Sequence, residues 1–245
     1  MRRISGGLVV IGLALAAFSG WILQSVAQPM VLPKYIAGEH YEVLKNPVKL
    51  AANDKIEVME VFWYGCGHCM SFEPAVSHWK KTMADDVEFM RTPAVWQKKM
   101  QAHSTLYYVA ETLDLPTEIH MDIFKLLTQQ QGLQDKNKFA AIFAKYGVDE
   151  AAFKDAFNSF GIKGKVKKAA TRVGKNYRTQ GTPELIVNGK YRVSARMAGS
   201  QARMLEVVDY LIEIERKTLP KPAVTDKASV KPSPASSPAI EAPAA

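Results

Sequence analysis

The sequence predicts an α/β fold: a βαβ unit, an inserted all-helical block, and a closing ββα unit. Three observations predict it. Residues 58–64 (Val-Met-Glu-Val-Phe-Trp-Tyr) form an apolar run broken only by Glu60, the pattern of a strand buried on both faces. After Gly65 the apolar residues Cys69, Phe72, Val76 and Trp79 recur at helical spacing, and from about 97 to 180 the periodicity is helical throughout. Glu184–Val187 and Tyr191–Val193 then flank Asn188-Gly189, the strongest hairpin signal in the chain.

Taken in order, Met1-Arg2-Arg3 is a short basic region, Leu8 to Leu23 an apolar one, and Ser25-Val26-Ala27 supplies small residues before a cut. This layout predicts a secretory signal peptide over 1–27, cleaved after Ala27. An uncleaved membrane anchor is the competing reading, for a segment slightly long for a signal core and short for a full span. Removing Arg2 and Arg3 takes the net charge from +8 to +6. That balance is basic but modest, and the cluster Lys163, Lys165, Lys167, Lys168, Arg172, Lys175 and Arg178 reads as a solvated helix face. Nucleic acid is not an expected partner of an exported chain.

A short strand is expected near Tyr41–Leu44, followed by a turn at Asn46-Pro47. Lys55–Tyr64 is the expected central strand, Cys69–Met83 a helix kinked by Pro74, and Val87–Thr92 the next strand, parallel to the first. The helical block is expected as segments near 101–113, 118–130, 136–146, 150–160 and 164–179. They are separated at Leu115-Pro116, Gly132, Gly147 and Gly161-Ile162. A last amphipathic helix covers about 200–216, and the Pro-, Ala- and Ser-rich remainder is expected to be disordered. The expected divisions are thus 1–27, 28–96 with Cys-x-x-Cys, 97–180 helical, 181–217 returning to the sheet, and a tail over 218–245.

Both cysteines of the chain, Cys66 and Cys69, straddle the first strand-to-helix turn. Free N–H groups and the helix dipole at that position should stabilise a Cys66 thiolate and lower its pKa, while Cys69, one turn in, should be more buried. A structural zinc site would need two further ligands, and His40, His78, His103 and His120 are scattered without ligand spacing. A purely structural disulfide over two residues would remove little chain entropy. Redox chemistry is the reading that remains. His68, between the cysteines, can stabilise the thiolate by charge or N–H donation. Burial of Glu60 in an apolar strand should raise its pKa. Trp63 is assigned to the core.

Cys66-Gly67-His68-Cys69, Gly181-Thr182-Pro183 before the hairpin, Glu60 in the strand and the placement of the helical block together resemble the periplasmic DsbA-like thiol:disulfide oxidoreductases of the thioredoxin superfamily. The resemblance covers about Tyr35 to Arg216. It implies a thioredoxin fold with an inserted helical domain. It also implies a periplasmic enzyme that donates its Cys66–Cys69 disulfide to reduced, folding secreted proteins through a mixed disulfide at Cys66. The implied cofactor is none beyond that redox disulfide, with no metal. Glu60 would relay protons to the inner cysteine. Pro183 would be cis and packed against the disulfide, leaving the Thr182 backbone, with Gly67, to meet an extended substrate chain. The implied partners are unfolded secreted proteins and a quinone-linked, DsbB-like membrane oxidase, with this protein a monomer. Gly67 and Thr182 depart from the Pro and Val usual in these oxidases, which implies a less extreme potential and keeps an isomerase or reductase of the same fold as an alternative. A peptide-binding holdase with a vestigial disulfide is the alternative from another class.

Overall fold

The computed structural model describes residues 33–50 and 55–218. The expected signal peptide and residues 219–245 of the expected tail lie outside them, whereas Thr218 ends the last helix. Five strands, β1 (Glu42–Val43), β2 (Ile56–Phe62), β3 (Val87–Pro93), β4 (Glu184–Val187) and β5 (Tyr191–Ser194), form one sheet in the order β1-β5-β4-β2-β3. β2 pairs in parallel with β3 and antiparallel with β4, so the central strand carries the βαβ unit on one side and the hairpin on the other.

Period-two alternation along β2 explains the layering. Ile56 and Val58, with Leu185, Val187 and Val193, pack against α1 (Gly67–Thr82) and α8 (Gln201–Thr218) through Phe72, Val76, Met204 and Leu211. Met59, Val61 and Ile186 face the other way, onto Val173 and Tyr177. Each such side chain removed from water contributes about 1.5–3 kcal/mol. Glu60 alternates onto the α1 side, where it is fully buried.

Asn188 and Gly189 both adopt left-handed backbone, φ 49° and 63°, as a two-residue hairpin turn with strand-matched twist demands. Glycine is required at 189 for a second reason, since a Cβ there would lie 2.5 Å from the Val48 carbonyl oxygen.

Between β3 and β4 the chain forms α2 (Lys98–Thr112), α3 (Glu118–Gln129), α4 (Lys136–Ala144), α5 (Glu150–Asn158) and α6 (Phe160–Thr171), then a π-helical turn, Arg172–Asn176. A short α7 (Ala195–Ala198), not expected from the sequence, precedes α8. The helical block has its own core of Leu106, Ile123, Phe124, Phe139, Phe143 and Phe153, into which Phe62, Tyr64 and Cys69 project from β2, the turn after it and α1. One expected boundary is corrected. The break before α6 falls at Ser159, and α6 runs through Gly161 and Gly164, because the Ser159 side chain accepts the Ile162 N–H and caps a new helix there. The helix α1 continues through Pro74. Among the described residues no helix is long and apolar enough to cross a membrane.

Candidate active site

The turn Trp63–Cys66 hands β2 over to α1. The Cys66 N–H bonds the Trp63 carbonyl at 2.9 Å, and Gly65 passes so close over the Trp63 indole that a Cβ at 65 would lie 2.3 Å from the ring. Trp63 itself is only half buried; its indole stacks on His103 and donates to His103 Nδ1 at 3.0 Å.

Cys66 is the N-cap of α1, and its sulfur accepts the Cys69 N–H at 3.2 Å. The first turn of α1 holds no acidic residue to compete with the sulfur for the free amides at this helix end. Both cysteines are free thiols. Hydrogen bonding from the Cys69 thiol, aided by the Cys69 and His68 backbone N–H groups and opposed by partial burial, brings the Cys66 pKa down to about 6. Cys69 is fully buried, and burial, followed by its neighbour Cys66, drives its pKa far up. The half-buried Cys66 is therefore the readily ionised sulfur and Cys69 a buried thiol.

Gly67 and His68 are exposed at the start of α1. His68 acts on Cys66 through its backbone N–H, and its carbonyl accepts Gln201 Nε2 at 2.6 Å and Ser71 Oγ at 3.0 Å, joining the turn to α8. The Thr182–Pro183 peptide is cis. Its Thr182 carbonyl accepts the Cys66 thiol at 3.4 Å, while Pro183 is buried at the mouth of β4. Beside this contact lies a hollow of about 430 Å³, lined by His68, Thr182, Pro183, Glu184, Met197 and Gln201 among others.

Glu60 faces Arg91 in the parallel register of β2 and β3. Arg91 Nε reaches Glu60 Oε2 at 2.8 Å, and its Nη2 reaches Glu73 Oε2 of α1, also at 2.8 Å. Glu73 Oε1 lies 3.1 Å from His120 Nε2 of α3, whose Nδ1 lies 2.8 Å from the Tyr64 hydroxyl. A carboxylate only accepts, so Nε2 carries the proton, Nδ1 accepts, and Tyr64 donates. Burial lifts Glu60 to about 7 against the pull of Arg91. At Glu73 burial also raises the pKa, but the His120 hydrogen bond and the Arg91 charge outweigh it and hold the carboxyl below its ordinary value. Burial lowers His120, keeping it neutral.

The sequence-predicted residues Cys66, Cys69, Thr182 and Pro183 thus converge, with Gly67 and His68 at the rim. Glu60, also predicted, is bonded to Arg91 of β3. Glu73, Arg91 and His120 were missed. Glu73 interrupts the apolar stripe Cys69, Phe72, Val76, and Arg91 sits in an apolar strand; these were the available signals. His120, taken with the scattered histidines, gave none, because its partners come from α1 and the turn before it.

A family model described as DSBA-like thioredoxin domain matches residues 31–211. A thiol:disulfide interchange protein DsbA of Pseudomonas aeruginosa is 36% identical over 188 residues, 76% of this chain and 89% of that protein. The protein of the same name from Azotobacter vinelandii is 34% identical over 209 residues, covering 85% of this chain and 97% of its own. Among solved structures, Pseudomonas aeruginosa DsbA superposes with a TM-score of 0.70 at 36% identity, over 75% of this chain and 96% of that one. The oxidoreductase DsbA from Xylella fastidiosa superposes with a TM-score of 0.68 at 28% identity, over 74% and 98%.

Proposed function

Because the chain belongs to the family of DSBA-like thioredoxin domains, we infer how its cysteine pair is used from the chemistry of the two sulfurs. The protein is a thiol:disulfide interchange oxidoreductase of thioredoxin fold. The observation that carries the reading is the opposite treatment of the two thiols: Cys66 lowered to about 6 at a capped helix end, Cys69 buried and held as a thiol. Stabilising the Cys66 thiolate stabilises the reduced pair, which makes the disulfide a better oxidant.

In the oxidised protein a substrate thiolate attacks Cys66 Sγ, the more accessible sulfur. The Cys66–Cys69 bond breaks, Cys69 leaves and takes up a proton, and a mixed disulfide joins substrate to Cys66. Glu60, raised to about 7, is the proposed proton donor to Cys69. A second substrate thiolate attacks the substrate sulfur of the mixed disulfide, and Cys66 leaves as a thiolate. The substrate loses two electrons and two protons, and the pair gains the electrons. His68 lends its backbone N–H to the leaving Cys66 thiolate, and Thr182 and Pro183, with Gly67, are the proposed seat of the extended substrate chain. Substrates are reduced, unfolded secreted proteins, consistent with the export signal in residues 1–27, which would place the protein in the periplasm. A DsbB-like quinone-linked membrane oxidase would restore the disulfide.

Two measurements test this. Cys66→Ala should abolish oxidation of a cysteine-pair peptide, and residual turnover in that variant refutes the mechanism. The equilibrium of the Cys66/Cys69 pair with glutathione should show a potential well above the glutathione poise; a potential near that of a cytosolic reductant makes the protein a reductase or isomerase instead.

A further inference from the structure

The segment Arg178–Pro183 enters the site with Pro183 as its one buried apolar side chain: Arg178 and Gln180 are exposed, Gly181 and Thr182 are half exposed, and the buried Thr179 is polar. Polar ties hold it instead. Arg178 has left-handed backbone at φ 48°, a conformation uncommon for a side chain of its kind, and its carbonyl accepts Arg192 Nη1. Thr179 returns both its N–H and its hydroxyl to the Val173 carbonyl. The Gln180 N–H donates to Glu184 Oε1 at 3.3 Å, and the Gly181 N–H also turns toward this carboxyl. Glu184 Oε2 is buried without a hydrogen bond, 3.8 Å from Arg192 Nη1, and Arg192 is anchored in turn on Glu42. The segment is thus strung between the Glu184–Arg192 pair at one end and the Cys66 thiol, which meets the Thr182 carbonyl, at the other.

We propose that Glu184 is a positioning residue for substrate: through the Gln180 and Gly181 amides and Arg192 it sets the height of the Thr182–Pro183 backbone against Cys66, and so governs binding of extended polypeptides. The proposal rests on the reading that Thr182–Pro183 seats the substrate chain. Backbone pairing is sensitive to displacements of well under an ångström, so a segment with this little packing needs a fixed polar anchor. Burial lifts Glu184 to about 7, so near neutral pH it moves between carboxylate and carboxylic acid, and a glutamine amide is a close stand-in for the neutral form.

The experiment compares wild type, Glu184→Gln and Glu184→Leu, all full-length, for oxidation of a cysteine-pair peptide and of dithiothreitol, which is too small to span the segment. In Glu184→Leu the peptide KM should rise about tenfold and the peptide-to-dithiothreitol rate ratio should fall by the same factor, the scale of one or two lost hydrogen bonds. Glu184→Gln, which keeps an oxygen acceptor, should restore most of that ratio. An unchanged ratio in Glu184→Leu, or an equal loss on both substrates, overturns the proposal. Should the leucine variant not fold, amide hydrogen exchange on the native protein decides: slow exchange at Gln180 and Gly181 supports the tie, and exchange at free-loop rates overturns it. Peptide oxidation by wild type and its loss in Cys66→Ala report on the oxidase reading separately.

Discussion

Cys66 and Thr182 are 116 residues apart in the chain, yet the Cys66 thiol donates to the Thr182 carbonyl at 3.4 Å. β2 and β4 are adjacent antiparallel strands, so the turn leaving one and the loop entering the other meet at the same sheet end. The reactive sulfur and the proposed substrate backbone are in register because the strands are.

The Cys66 thiolate should appear with a midpoint near pH 6, followed by its absorbance at 240 nm or by its rate of alkylation in the reduced protein. The sign is that of a depressed acid. The contribution to stability of the reduced protein is fully present above the ordinary thiol value of 9.0 and is lost as pH falls toward 6. The reduced form should therefore gain on unfolding resistance between those values, and a midpoint at the ordinary thiol pKa contradicts the geometry.

Glu60 carries the opposite sign. Its folded pKa is raised from 4.5 to about 7, so its contribution is fully present below 4.5 and is lost as pH rises through 7. Glu60→Gln, which cannot ionise, should change the urea midpoint little at pH 5 and raise it relative to wild type at pH 8, a stability gain on the order of 3 kcal/mol. A difference that stays constant from pH 5 to 8 rules out a titrating Glu60.

Gly65→Ala places a methyl group 2.3 Å from the Trp63 ring. The indole must move off His103 or the turn must shift, at about 1–3 kcal/mol. Tryptophan fluorescence and the urea midpoint should change together, and an unaltered midpoint would mean the turn yields freely.

Ser159→Ala removes the side-chain acceptor for the Ile162 N–H at the start of α6. The expected loss is about 1 kcal/mol in chemical denaturation, with peptide oxidation unaffected because the Ser159 hydroxyl bonds the first turn of α6 and neither site segment. A loss of oxidation matching that at the site would refute this separation.

The features legible in the chain alone are local and periodic. The apolar run 58–64 specified a buried strand, the Cys69, Phe72, Val76 spacing a helix, and Asn188-Gly189 a hairpin, since burial pattern and turn chemistry are written in neighbouring residues. The two cysteines at a helix start followed from the same logic. Tertiary structure decided what depends on distant segments. Arg91 reaches Glu60 because β2 and β3 pair in one register, and Glu73 reaches His120 because α1 packs beside α3. The Ser159 cap overrode Gly161, which read as a breaker. Glu184, one residue past the cis-proline, became an anchor only because β5 sets Arg192 beside it, a proximity set by strand pairing rather than by any local preference.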